Sequence, residues 1–448
     1  MARLVPAQRS RAPVSGTRVV IDLRPLQEPE RTPMTAEYLE HLLAAFAAEP
    51  VTGESFFVLT RTLRPDPSVD LEARGLPVVA RRRLPPTTRI FRSAGLTLDS
   101  FLLRGAGLGA ARGAREAGAA GTIYHTAGGA VPLASGLPVV ATLLDLAPWE
   151  LPDLYAASTA ARFGHRLRAR VLHDSARVIV CSRATAESAR RRLHLPPERI
   201  SVVPLAVDET FRIVGRDGTR HDEIRRKLRL PERYLLFSGR YDARRDMATL
   251  FGALRSLREG QAPAEPRAGR RTSASRHGQG PPLLVLAAQY ESGDDLDTLQ
   301  RSIARSGAGD LLRLAPPLDR MDRAALIGGS VGLVYPSLSE ATGLPVLEAL
   351  SLGVPVIASR AGALPEIVGS AGIIVEPRDP ARLATAISTL WAGGSLFEQL
   401  RRKALRRAAE PPRSWADVAR ETREVYAAAA ADAGRAGAPP EADSPLPR

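Results

Sequence analysis

Apolar residues along the chain fall into short runs with two alternating rhythms. Runs of four to six β-branched and aliphatic residues, bounded by turn formers, predict buried strands: Arg18–Leu23, Ser55–Thr60, Leu76–Ala80, Gly121–His125 and Pro138–Leu143. Between most of them the apolar positions recur at helical spacing, as in Thr35–Ala48. Ala176–Cys181 and Arg199–Pro204 add two strands around a helix over Arg183–Leu193. Strands alternating with helices predict a parallel, doubly wound sheet. Leu205–Gly218 has few core-type residues, so it reads as an interdomain linker. A second series then begins at Tyr234–Ser238 and continues through Leu283–Ala287, Leu311–Leu314, Gly332–Tyr335, Pro355–Ala358 and Gly372–Val375. A last helix is expected over Ser414–Ala430.

The expected organisation is a basic disordered tail (1–16), a Rossmann-like first domain (17–210), a Rossmann-like second domain (211–410), a closing helix (411–430) and a disordered tail (431–448). The second domain carries a Pro-, Gly-, Arg- and Ser-rich insert at 259–282 that lacks any apolar period, and it reads as a disordered loop. A length of 448 residues, 44% apolar, suits two packed domains. No apolar run reaches the ~18 residues of a membrane span. The basic N-terminus lacks the apolar stretch of a secretory signal. The expected place of action is the cytoplasm, including the inner face of the membrane. A single cysteine, Cys181, excludes an internal disulfide framework and a cysteine-rich zinc site.

Net charge is +14, and all the basic side chains but Lys227 and Lys403 are arginine. That bias fits a GC-rich, bacterial genome. The charge favours anionic partners such as nucleotide-sugars or an anionic membrane. Aromatic residues are only 5% of the chain and do not interleave with basic ones, so nucleic acid is not an expected partner. The stretch 160–176 is basic enough to touch an anionic membrane or a lipid phosphate, although a solvated helix face explains it too.

The chemistry concentrates in LVYPSLSEATGLPVLEALSLGVPVIASRAGALPEIV, residues 333–368. Glu340 and Glu348 flank a Gly343-Leu344-Pro345 turn that opens a helix, where proline is tolerated and free backbone N–H groups favour an anion. A second loop, Gly239-Arg240-Tyr241-Asp242-Ala243-Arg244-Arg245, follows a strand at the end where open parallel sheets bind ligands. Guanidinium forks at Arg240 and Arg245 match diphosphate oxygens, unless the loop is merely solvated. No carboxylate cluster is arranged for a divalent cation, so no metal is expected. An NAD-dependent enzyme is disfavoured, because no G-x-G-x-x-G follows either domain's first strand.

These strings resemble the family 4 glycosyltransferases, retaining enzymes of the GT-B fold. The likeness extends to residues 176–208 and 412–430, and so covers most of the chain between about 17 and 430. It implies two facing Rossmann-like domains, with the last helix crossing back to the first. It further implies transfer, without metal, of a hexose-type sugar from a nucleotide-diphosphate sugar to a glycan or lipid-linked acceptor. The nucleotide-sugar is a substrate, and no cofactor is implied. In the resembled family Glu348 takes the ribose hydroxyls and Glu340 lies beside the transferred sugar. Backbone groups around Gly239, Thr342, Gly343 and Leu344 contact sugar and phosphates, while Arg240 and Arg245 stabilise the leaving diphosphate. Glu340, Arg240 and Arg245 are thus the expected catalytic group.

Several positions depart from the family pattern. Arg245 stands for the usual lysine, Thr342 for phenylalanine and Ala206 for glycine. The loop before the first helix, Glu30-Arg31-Thr32-Pro33-Met34-Thr35, lacks the usual glycines. Leu144 replaces a cleft histidine and cannot exchange a proton. On the acceptor side His125 is a candidate substitute, or simply a structural hydrogen-bonder. Asp145 either orients the cleft or caps the turn at Trp149. These departures motivate an alternative, a nucleotide-sugar-binding paralogue that has lost catalysis and acts as a partner or regulator. A nucleotide-sugar epimerase of related architecture fits the glutamate pair and the closing helix less well.

Overall fold

The computed structural model describes residues 16–85, 95–116, 121–128, 131–156, 158–260, 281–290 and 293–437. The expected N-terminal tail up to residue 15, the insert over 261–280 and the tail from 438 lie outside the described residues. Two parallel sheets form the frame. The first contains β1 (Arg18–Asp22), β2 (Ser55–Arg61), β3 (Val78–Leu84), β4 (Thr122–Ala127), β5 (Val139–Leu143), β6 (Arg177–Val180) and β7 (Ile200–Val202), in the order β3-β2-β1-β4-β5-β6-β7. The second contains β8 (Leu235–Arg240), β9 (Leu284–Gln289), β10 (Leu312–Leu314), β11 (Gly332–Tyr335), β12 (Val356–Ser359) and β13 (Gly372–Val375), in the order β10-β9-β8-β11-β12-β13. Strands buried on both faces explain the continuous apolar runs, since helices cover each side of a parallel sheet.

In each sheet the strand order reverses beside its first strand, between β1 and β4 and between β8 and β11. At such a switch point the loops leaving the two strands part and open a crevice. In the second domain those loops are 241–246 and 336–343, the two segments singled out by their residues.

Three boundaries differ from expectation. β3 runs to Leu84 through three arginines instead of ending at Ala80. It is an edge strand with one exposed flank, where charge is tolerated and even protective. The linker is shorter than expected. Asp208 caps a helix over Glu209–Val214 by accepting from the Thr210 N–H at 2.7 Å, and Phe211 on that helix is fully buried in the second core. Leu205 and Ala206 still belong to the first core, so the chain crosses between 206 and 211. The last helix covers Trp415–Gly437 and takes up the first residues of the expected C-terminal tail. Alanine favours helix there, and Asp432 pairs with Arg177 of β6. Val418, Ala419, Tyr426 and Ala429 of this helix are buried in the first domain's core, so the chain returns to its starting domain.

Candidate active site between the domains

Glu340 is the hub of the β11 loop. Its side chain is 3% exposed, yet both oxygens are fully engaged. Oε2 accepts from Arg245 Nη1 at 2.6 Å and from the Tyr335 hydroxyl at 3.0 Å. Oε1 accepts from the Gly343 N–H at 3.0 Å, the Thr342 N–H at 3.3 Å and the Thr342 hydroxyl at 3.2 Å. Burial opposes ionisation, but the Arg245 and Arg244 guanidiniums hold the carboxyl well below the usual range. Glu340 is therefore a fixed carboxylate at neutral pH. Gly343 makes this turn possible. Its φ is +62°, and a Cβ there would lie 2.4 Å from Ile367 Cδ1.

Arg245 is clamped in the same network. Besides Glu340, its Nη1 donates to Ser337 Oγ at 2.9 Å, and its guanidinium stacks 4.6 Å from the centre of the Tyr335 ring. Nη2 of Arg245 has no protein acceptor among the described residues. The expected row of free amides is reduced. Thr342 and Gly343 spend their N–H groups on Glu340, because a buried carboxylate needs donors and these are nearest. Of the three expected amides, only the Leu344 N–H is left without a protein acceptor among the described residues.

Glu348 lies one turn into the helix Leu344–Ser351 and is 1% exposed. Oε1 accepts from Arg323 Nη2 at 3.1 Å, whereas Oε2 is sealed from solvent with no donor beside it. Burial pushes this carboxyl up to about 8, against the pull of Arg323. Arg323 and Arg240 line a cleft of about 240 Å³ between the domains. Ala287, Ala288, Gln289 and Tyr290 wall it together with residues 316–318, and Glu30 and Pro33 of the first domain close it. Arg240 donates to the Arg31 carbonyl at 3.1 Å, and Gly239 lies opposite Ala288 on β9.

On the first-domain side the structure decides between the two readings of His125. His125 does not face the cleft. It is fully buried, with Nε2 2.9 Å from the Thr142 hydroxyl and Nδ1 2.8 Å from the Tyr426 hydroxyl, and burial pushes its pKa down to about 3. It is a core hydrogen-bonder tying β4 to β5 and to the last helix. Leu144 is 3% exposed in the first core. Asp145 does reach the cleft. Its Oδ1 accepts from the Ala147 N–H at 2.9 Å and from Arg244 Nη1 at 3.0 Å.

Sequence reasoning missed the residues that tie the domains together. Arg323 bonds Glu37 at 3.3 Å, and Arg320 bonds Glu40 at 3.0 Å and Asp208 at 2.8 Å. Thr185 Oγ1 donates to the Ala341 carbonyl at 2.8 Å, and the Ala184 N–H donates to Glu366 at 3.1 Å. In so arginine-rich a chain, Arg320 and Arg323 carry no signal that separates them from solvated neighbours. Arg244 lay inside the loop already singled out.

Two family models match in tandem: "Glycosyltransferase Family 4" over residues 58–211 and "Glycosyl transferases group 1" over 220–408. The chain has the two domains of a GT-B glycosyltransferase of the family 4/group 1 kind. It is similar to D-inositol 3-phosphate glycosyltransferase of Frankia alni, 29% identical over 263 residues, with 54% of this chain and 60% of the relative covered. It is similar also to O-antigen chain mannosyltransferase B of Escherichia coli, 25% identical, with 54% and 58% covered. The chain spans about 60% of the length of these curated relatives. Among solved structures, the sucrose-phosphate synthase of Thermosynechococcus elongatus superposes with a TM-score of 0.65 at 18% identity, covering 94% of this chain and 100% of that one. Anabaena HepE in complex with UDP and glucose superposes with a TM-score of 0.61 at 16% identity, covering 91% and 98%. At such identities the likeness is one of fold. Among the described residues no group of three or more His, Cys, Asp or Glu side chains could hold a metal ion. No described helix is long and apolar enough to cross a membrane.

Proposed function

We propose that the chain is a retaining glycosyltransferase that moves a hexose from a nucleotide-diphosphate sugar to a glycan or lipid-linked acceptor. The observation that carries this reading is the sealed, donorless Oε2 of Glu348 beside the Arg323-lined cleft. A buried carboxyl oxygen without a partner is costly whether or not it carries the proton, and a ribose hydroxyl, which can donate or accept, would satisfy it. The nucleoside would fill the cleft, whose apolar walls suit a base. The diphosphate would then meet Arg240, Nη2 of Arg245 and the Leu344 N–H. As the glycosyl–phosphate bond breaks, negative charge grows on the leaving diphosphate, and these fixed donors stabilise it. Guanidiniums supply the positive charge that a metal ion supplies elsewhere, so transfer would be metal-independent. Retention follows the family resemblance, with the leaving phosphate receiving the acceptor's proton. Glu340 would touch the sugar only after its network rearranges; in the geometry above it positions Arg245 and the turn. The relatives' names, an inositol phosphate glycosyltransferase and a mannosyltransferase, support a sugar-transfer role.

Calorimetry with UDP-, GDP- and ADP-sugars tests the reading. One of them should bind at micromolar to submillimolar levels and should be consumed in the presence of acceptor. No association of any of them at millimolar concentration overturns it. Leu144, buried in the core with no proton to exchange, favours a second reading in which the donor binds without transfer. Tight donor binding with no turnover, and no slow hydrolysis, selects that one.

A further inference from the structure

Buried arginines in this protein are matched to carboxylates: Arg245 to Glu340 at 2.6 Å, Arg423 to Glu54 at 2.8 Å, Arg244 to Asp145 at 3.0 Å. Arg168 is the exception among the described residues. It lies on the helix Thr159–His173 of the first domain and is 8% exposed. Its Nε is sealed without an acceptor, and its guanidinium makes neither ion pair nor hydrogen bond to any described residue. Its carbon centre lies 4.9 Å from the centre of the Trp149 ring. Burial draws its pKa down to about 10, which leaves it charged at neutral pH.

Its neighbours are unsatisfied in the same way. Trp149 Nε1 is sealed without an acceptor. His165, whose ring meets Trp149 edge-on at 6.1 Å, has a sealed and partnerless Nδ1, while its Nε2 faces the Tyr155 carbonyl at 3.3 Å. The Arg168 and Trp149 nitrogens can only donate, which suits an anion, whereas neutral His165 gives its Nε2 proton to the Tyr155 carbonyl and leaves only a lone pair at Nδ1. Asp145 is within electrostatic reach of Arg168 but makes no hydrogen bond or ion pair to it; its Oδ1 is taken by Arg244 and the Ala147 N–H. Tyr155 lies within electrostatic reach of Asp145, Asp242, Arg244 and Arg245, so this cluster sits beside the Asp145–Arg244 contact between the first domain and the donor loop.

We propose that Arg168, with Trp149, forms a first-domain subsite for the anionic group, a phosphate or carboxylate, of the acceptor. A buried guanidinium with no counter-ion in contact is retained where a ligand brings one. The word acceptor rests on the glycosyl-transfer reading; the anion site does not.

Trp149 reports on the site directly. In a Trp391→Phe, Trp415→Phe background it is the remaining tryptophan. Its emission should change saturably with glucose 6-phosphate, more weakly with inorganic phosphate and not with glucose. Arg168→Gln should weaken the response at least tenfold. If the double background does not fold, the wild-type response minus that of Trp149→Phe gives the same reading. Arg168→Lys, which keeps the charge but loses the fork, should fall between. The absence of a saturable response, an unchanged response in Arg168→Gln, or the same response to UDP overturns the subsite. Equal affinity for inorganic phosphate and the sugar phosphate marks a plain anion site and overturns the acceptor assignment. In transfer assays Arg168→Gln should raise the acceptor KM at least tenfold and leave the donor KM unchanged. A failure of transfer itself would leave the emission titration intact, so the two ideas fail separately.

Discussion

Glu340 and Glu348 stand at the two ends of one turn of structure, both buried and both facing an arginine, yet they are opposite kinds of site. Glu340 accepts five hydrogen bonds and stays ionised. Glu348 accepts one, keeps a sealed oxygen with no donor, and has its pKa raised to about 8. Burial is almost equal, so the surrounding charges and donors decide: two guanidiniums act on Glu340, whereas Glu37 and Asp208 oppose Arg323 and Arg320 at Glu348. A saturated carboxylate organises its loop, and an unsaturated one is available to a ligand.

The comparison is most exposed at Glu340. In Glu340→Gln the amide NH₂ must face donors whichever way it is turned, and Arg245 loses its counter-charge. Denaturant unfolding should show a loss of about 3–5 kcal/mol, and transfer should be abolished. A stable, active variant would break the contrast. Arg240→Ala comes next. The side chain is half-buried beside the cleft, so stability should hold while donor binding weakens by about 2 kcal/mol, on the order of 30-fold by calorimetry. In Glu348→Gln the new NH₂ replaces an oxygen that had no partner, and Arg323 keeps Glu37. Stability near pH 5 should change by no more than about 1 kcal/mol, with about tenfold weaker nucleotide-sugar binding. Unchanged binding would remove Glu348 from the ribose.

A further contrast lies in pH dependence. A carboxyl raised from 4.5 to about 8 in the folded state takes up a proton that the unfolded chain has released. Its contribution therefore lowers stability progressively between about pH 4.5 and 8. Glu340 acts oppositely, since its depressed pKa gives stability that is lost only as pH falls below 4.5. The stability of Glu348→Gln relative to wild type should thus rise across pH 5 to 8, measured by urea unfolding at each pH. A flat difference would sink the assignment of the raised pKa.

Much of this was legible along the chain. Apolar runs marked nearly every strand, because both faces of a parallel sheet are buried and leave little polar interruption. The Glu340–Glu348 string and the Arg240–Arg245 loop were legible because turn chemistry and charge lie close together in sequence. His125 stayed open between two readings for a simple reason: a strand-end histidine looks the same whether its nitrogens meet Thr142 and Tyr426 or an open cleft. Tyr426 lies 301 positions away, beyond any local pattern.

Local order alone therefore specified two α/β domains, their strands and the two loops that carry the charge, since periodicity and turn residues act over a few neighbours. Which carboxylate is saturated, which amides are spent, which arginine lacks a counter-ion and which residues hold the domains together were decided by the folded arrangement. Hydrogen-bond and charge balance depend on groups brought within about 3 Å from distant parts of the chain, and spacing along the sequence does not encode that.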